Sequence, residues 1–343
     1  MSREIPNFVF FVAASAEVGS GHVSRCRALA QAIGGRADVV FALSGDQGHW
    51  KEVLTQSGVK VIAPEAVGGS HWSAVIMDGY DFSVPQYRLL RGATSCFMVM
   101  DDQALGNEMA DIILNQNAGY TDAEYRGKIS DRAHLLLGPS YTLLREEFRL
   151  LRDAGVHRDC SRATRVLVSL GGSDTRNLTT IIVQALERLD HAGPLDVTLV
   201  LGPHNRHAAQ ITEACRSAKH RYRIEKNVQR MEQFILEADW AVGLIGVSMW
   251  ERMCLGLPTL LLALDEHQDR IGRFVHGEKA AFYAGRYDRL FQEEIVSSMA
   301  KFIADKDMRA TLSINGLNLV DGTGAGRVAK VLMDRSLNSR GVK

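Results

Sequence analysis

Short apolar runs of strand type alternate along the chain with longer segments whose apolar residues recur at helical spacing. In the first half the runs are Phe8 to Ala14, Val39 to Leu43, Val59 to Ala63, Ala74 to Met77, Ser95 to Met100 and Ile112 to Leu114. Helices such as the one over Arg25 to Ile33 lie between them. The second half restarts the pattern at Arg165 to Gly172 and continues through Leu195 to Gly202, Trp240 to Gly246 and Pro258 to Leu264. Near-continuous apolar strands separated by helices predict parallel sheets covered on both faces. The chain thus reads as α/β, two Rossmann-like doubly wound domains facing a central cleft, with the glycine loops at the strand C-terminal ends around it. Arg149 to Thr164 is charged and ends without strand character. It sets an N-terminal domain at residues 1–149, a linker at 150–163 and a C-terminal domain at 164–335.

Composition narrows the partners. A chain of 343 residues exceeds what one core usually supports, in agreement with two domains of roughly 150 residues each. Lys plus Arg and Asp plus Glu stand at 40 each, so no global field gathers nucleic acid or an anionic membrane, and a small molecule in a pocket is the expected partner. Cys26, Cys96, Cys160, Cys215 and Cys254 are scattered and form no CxxC pair. A disulfide framework and a zinc site are both disfavoured, and a reducing cytoplasm fits. The run Phe8 to Ala14 is too short to cross a bilayer, so neither an integral membrane segment nor a signal peptide is expected. A monomer is expected because no extra interface segment stands out.

Candidate chemistry collects at the glycine turns. Gly19-Ser20-Gly21-His22 follows the first strand and leads into a helix that carries Arg25. Such a turn admits a ligand close to the backbone and offers free NH groups at a helix N-terminus. The spacing lacks the third glycine of the dinucleotide fingerprint. His22 could satisfy a loop carbonyl; alternatively, with the helix dipole disfavouring its cation, a neutral imidazole could act as a general base. Gly171, Gly172 and Ser173, in SLGGSD, suit a phosphate cradle, although Ser173 or Asp174 also suits a helix cap. Gly246, Val247 and Ser248 open a short helix with Glu251 one turn on, placed to reach a phosphate and a sugar hydroxyl together. Asp78 in MDGYD, MDDQ at 100–103 and Asn117 in NQNAGY mark three polar strand ends of the first domain, a wall suited to a neutral ligand bearing hydroxyls and amides. His204 and His207 lack a carboxylate or cysteine companion, so no metal is expected there. There is no GxSxG elbow and no GxxxxGK[ST] loop.

In order along the chain, VGSGHVSRCRALA, MDGYD, MDDQ, DIILNQNAGY, LLGPSYTLLREEF, SLGGSD, NVQRMEQFILEADWAV, SMWERMCLGLP and HQ resemble the PseG family, the UDP-sugar hydrolases of pseudaminic acid biosynthesis. The resemblance covers nearly the whole chain. It implies a GT-B fold related to MurG, with UDP on the C-terminal domain and the sugar facing the N-terminal one. It also implies water attack at the anomeric carbon of a UDP-linked diacetamido-trideoxy-hexose, with carbon–oxygen cleavage, inversion and no cofactor or metal. By motif, His22 would position or deprotonate the water and Tyr80 would stand on the sugar side. Glu251 would hold the ribose; Gly172, Ser173 and Ser248 would serve the phosphates; Gln268 matches the family's closing glutamine. The chain departs from the family at Phe11, Ala13, Gly79, Leu105, Gly106 and Glu108, all on the sugar side, and its loop before Glu251 has fewer hydroxyls. A GT-B glycosyltransferase using a UDP-sugar donor is the alternative, because the same donor site would serve either reaction.

Overall fold

The computed structural model describes residues 5–14, 21–45, 48–190, 193–202, 205–216 and 218–338. Two compact units emerge: residues 1–146 with 322–343, and residues 147–321. Unit 1 comprises β1 (Asn7–Ala13), α1 (Gly21–Ile33), β2 (Asp38–Ser44), α2 (Gly48–Gln56), β3 (Lys60–Ile62), β4 (Ala74–Asp78), α3 (Val84–Gly92), β5 (Phe97–Met100), β6 (Ile112–Asn115) and β7 (His134–Leu137). Its seven strands run parallel in the order β3-β2-β1-β4-β5-β6-β7. The alternation of side chains along β1 divides two cores. Phe8, Phe10 and Val12 pack with Val23, Cys26 and Leu29 of α1, whereas Val9 and Phe11 pack with Val75, Met77 and Phe97 on the opposite face.

Unit 2 follows the same plan with α4 (Glu146–Asp153) at its start, then β8 (Arg165–Ser169), α5 (Leu178–Glu187), β9 (Asp196–Leu201), α6 (Ala208–Arg216), β10 (Arg221–Lys226), α7 (Met231–Glu237), β11 (Trp240–Leu244), α8 (Val247–Cys254), β12 (Thr259–Ala263), α9 (Glu266–Gly277), β13 (Phe282–Arg286), α10 (Gln292–Ala304) and α11 (Lys306–Leu319). The strand order is β10-β9-β8-β11-β12-β13, again parallel. In each unit the order reverses beside the first strand, between β1 and β4 and between β8 and β11. Ligands of doubly wound sheets bind beyond the strand C-terminal ends at such a point.

Two sequence expectations are corrected. The last helix, α12 (Gly324–Asn338), does not complete the second domain: it returns to unit 1, where Val328, Ala329 and Leu332 join the core beneath α1. Residues 150–163 are not a free linker either. They begin inside α4 and anchor to unit 2 through Arg158, whose Nε donates to Leu255 O at 2.9 Å. The apolar pattern also leaves out β7, β10 and β13, all edge strands. Edge strands carry polar residues that central strands cannot, as in RYRIEK of β10. No described helix is long and apolar enough to cross a membrane.

Candidate active site

The reversal point of unit 1 gathers five of the residues singled out from the sequence. α1 begins at Gly21, four residues earlier than its apolar spacing suggested, which places His22 in its first turn. Arg25 lies three residues on and shares that face. Asp78 is the last residue of β4 and pairs across the sheet with Val12 of β1. Buried among them, Asp78 is the centre of the network rather than a wall residue. Its Oδ1 lies 2.6 Å from His22 Nδ1, and Arg25 grips it with two nitrogens, Nε to Oδ2 at 2.7 Å and Nη2 to Oδ1 at 2.5 Å. The Cys26 thiol donates to Oδ2 at 3.3 Å.

Arg25 joins this carboxylate to a second one, for Nη1 donates to Asp102 Oδ1 at 2.8 Å. Asp102 also accepts from Asn117 Nδ2 at 2.9 Å and from the Tyr80 hydroxyl at 2.9 Å. The Tyr80 ring stands edge-on to the His22 imidazole, with centroids 4.8 Å apart. Behind them, Asn115 donates to the Tyr125 hydroxyl at 3.2 Å and accepts from Asn117 N at 3.0 Å. The Asp101 carboxylate stays out of this network, because it accepts from Leu105 N and Gly106 N at 3.0 and 2.7 Å and closes the turn after β5, while the Asp101 carbonyl accepts from the Tyr125 hydroxyl at 3.3 Å. Sequence reasoning marked MDDQ without separating the two aspartates, and it missed Tyr125 altogether.

Protonation follows from the contacts. Burial works against ionisation of Asp78, but the Arg25 charge and His22 outweigh it and hold the carboxyl well below the usual range. Burial opposes ionisation of Asp102 too, and Arg25 again prevails. An ionised carboxylate only accepts, so His22 Nδ1 carries the proton in the 2.6 Å contact. Arg25 Nη2, 3.1 Å from the same nitrogen, is then a packing neighbour rather than a donor to it. The other ring nitrogen, Nε2, has no hydrogen-bond partner among the described residues. Partial burial and the Asp102 charge push the Tyr80 phenol far above its ordinary range, so its hydroxyl is the donor in the bond to Asp102. An imidazole held in this way can take a proton at Nε2, and the carboxylate would stabilise the imidazolium so formed.

Gly79 brings Tyr80 over this site. Its φ is +156°, and a Cβ there would lie 2.5 Å from the Ala13 Cβ and 2.7 Å from the Phe82 ring. Phe82 in turn packs on Phe11, ring centroids 5.4 Å apart. The departures at positions 11, 13 and 79 therefore form one apolar contact set that leaves no room for a side chain at 79.

In unit 2 the turns after β8 and β11 leave neighbouring strands, with Ser169 paired to Gly243. Gly171 has φ +88° and Gly172 lies so close to Gly202 that a Cβ on the latter would collide with its carbonyl. The Asp174 carboxylate accepts from Leu178 N and Thr179 N at 2.8 and 3.0 Å, which caps α5 from within the chain. A phosphate cradle at this turn is thereby reduced to the backbone of Gly171, Gly172 and Ser173. At α8 the N-cap is Gly246, at φ +155°, and no side chain of the described residues caps the helix. Val247 and Ser248 form its first turn, and half-buried Glu251 lies one turn further on. Gln268, in the first turn of α9, accepts from Leu264 N at 2.8 Å through Oε1. Gly19 and Ser20, like His204, lie outside the described residues.

Comparison with known proteins places the fold. MurG of Acinetobacter baumannii superposes with a TM-score of 0.67 at 13% identity, covering 96% of this chain and 100% of that one. The fold is GT-B. In sequence, the chain is 24% identical to the spore coat polysaccharide biosynthesis protein SpsG of Bacillus subtilis, over 93% of this chain and 95% of the relative. It is 26% identical to the UDP-2,4-diacetamido-2,4,6-trideoxy-beta-L-altropyranose hydrolase of Campylobacter jejuni, over 51% of this chain and 63% of that protein. No family model matches the chain.

Proposed function

We propose that the chain is a hydrolase that removes UDP from a UDP-linked 2,4-diacetamido-2,4,6-trideoxy-hexose, in pseudaminic acid or related nonulosonic acid biosynthesis. The observation that carries this reading is the buried His22–Asp78 pair at the strand-reversal point of a GT-B unit, with Nε2 left as the base. The likeness to the Campylobacter jejuni hydrolase supports the substrate class.

Water gives a proton to His22 Nε2 while its oxygen bonds to the anomeric carbon, and the carbon–oxygen bond to the phosphate breaks with its electron pair going to UDP. Attack opposite the leaving group inverts that carbon. Positive charge grows on the sugar and on the imidazole together. Asp78 and Asp102 against the single charge of Arg25 leave a negative balance beside both. Tyr80 offers its ring edge to the sugar while its hydroxyl steadies Asp102; Asn117 holds the same carboxylate from the other side. On unit 2 the uncapped start of α8, Gly246 to Ser248, would take the diphosphate, whose negative charge rises as it leaves. Glu251 would accept from the ribose hydroxyls.

Transfer to a sugar or lipid acceptor is the second reading, favoured by the match to a polysaccharide biosynthesis protein over 93% of the chain. An inverting transferase needs the same base, so the two part only on the nucleophile. The deciding experiment mixes the purified chain with UDP-2,4-diacetamido-2,4,6-trideoxy-altrose in oxygen-18 water without acceptor. Unlabelled UDP and a reducing sugar labelled at the anomeric oxygen are expected. Intact substrate that turns over only when an acceptor is added would overturn hydrolysis in favour of transfer.

A further inference from the structure

Arg252 is a buried charge that neither the fold nor the proposed chemistry has used. It sits in α8 with no measurable exposure. Helical side chains lean toward the N-terminus, and this one returns toward the turn that starts its own helix. Its Nη2 donates to the carbonyl of Leu244, the last residue of β11, at 3.1 Å. The guanidinium rests on Gly243, where any Cβ would collide with it. Nε and Nη1, both buried, have no hydrogen-bond partner among the described residues.

The other buried guanidiniums are treated differently. Arg25 meets two carboxylates, and Arg309 donates to the carbonyls of Phe302, Ile303 and Cys160. Arg252 has one carbonyl. Burial draws its pKa down to about 10, and the Glu251 charge only partly opposes that. A buried cation without a counter-ion is costly, and an approaching anion offsets the cost. The turn that follows Leu244 is the N-terminus of α8, which no side chain of the described residues caps and which presents the same sign of charge. At the comparable turn before α5 the chain supplies its own carboxylate, Asp174.

We propose that Arg252 is a positioning residue that holds the diphosphate of the nucleotide at the β11–α8 turn by its charge, acting from beneath the turn without touching the ligand. This deepens the UDP reading above and rests on it. The charge acts on the phosphates and not on uridine, and that difference makes it testable.

The test titrates UDP, uridine and inorganic pyrophosphate into the full chain and into Arg252→Met, Arg252→Gln and Arg252→Lys, with thermal melts alongside. The Met and Gln variants are expected to lose about 10- to 100-fold in UDP and pyrophosphate affinity with uridine unchanged, and the Lys variant to recover most of it. Unchanged UDP affinity in Arg252→Met overturns the proposal. So does a parallel loss for UDP and uridine, or failure of both neutral variants to fold, since either makes Arg252 structural. A wild-type chain that binds pyrophosphate in an Arg252-dependent way but neither UDP nor uridine would keep the anion site and sink the nucleotide reading. One that binds none of the three sinks both.

Discussion

Replacing Asp78 by asparagine exchanges one carboxylate oxygen for an NH2 group at the centre of the unit 1 network. The lost charge served three contacts, two from Arg25 and one from His22. An amide can accept from only one side, so its NH2 faces Arg25 Nε if it replaces Oδ2, or Arg25 Nη2 and Nδ1–H together if it replaces Oδ1. If it faces the imidazole, the ring adopts the other tautomer, with the proton on Nε2, and the base is gone. Turnover should fall by about 10³- to 10⁴-fold, the scale seen when an orienting carboxylate is neutralised. Removing one partner of a buried ion pair costs about 3–5 kcal/mol, and because Asp102 still holds Arg25 Nη1 the loss here should be nearer 2–4 kcal/mol. For a unit of this size that corresponds to a Tm roughly 5–15 °C lower. The assay is UDP release followed by phosphorus NMR below both melting temperatures, with UDP affinity measured in parallel. UDP binding should be unchanged, because its grip is assigned to unit 2. Turnover within about tenfold of wild type in a folded Asp78→Asn chain would refute the base assignment.

Acid should erase that stability difference. Asp78 and Asp102 both titrate below the ordinary carboxylate range, so their contribution is complete above about pH 4 and is lost as pH falls through their folded values. The Tm gap between wild type and Asp78→Asn should narrow steadily below about pH 4 in melts across that range; a gap that widens there contradicts the ion-pair account. Tyr80→Phe keeps the ring beside His22 and loses only the bond to Asp102, so turnover should fall about 3- to 10-fold, whereas a phenol acting as proton donor would cost on the order of 10²-fold or more. Glu251→Ala should weaken UDP binding by about tenfold and leave the melting of unit 1 unchanged; an unaltered dissociation constant removes Glu251 from the ribose.

The central strands of both sheets could be read directly from the chain. Phe8 to Val12 or Trp240 to Leu244 is covered on both faces, so each must be apolar throughout, whatever lies around it. The glycine turns were equally legible, because Gly171 and Gly246 occupy backbone conformations that other residues resist. His22, Asp78, Tyr80 and Asn117 were each marked by their place at a strand end or helix start.

Their mutual arrangement was not legible. Asp78 meets His22 because β4 pairs in register with β1 across more than sixty residues of chain, and Asp102 joins them through the next strand in the sheet. Sequence periodicity says which residues end strands but not which strands are neighbours. The edge strand β10 escaped because RYRIEK carries charged residues that a central strand could not, whereas β7 is apolar, HLLL, but only four residues long. The apolar face of α12 could cover either sheet, and only packing against α1 assigns it to unit 1. Composition and local pattern thus determined the elements, the glycine turns and the candidate groups. Long-range pairing alone decided that His22, Arg25, Asp78 and Asp102 share one buried network, because a charge can be taken out of water there only when its partners arrive from distant parts of the chain.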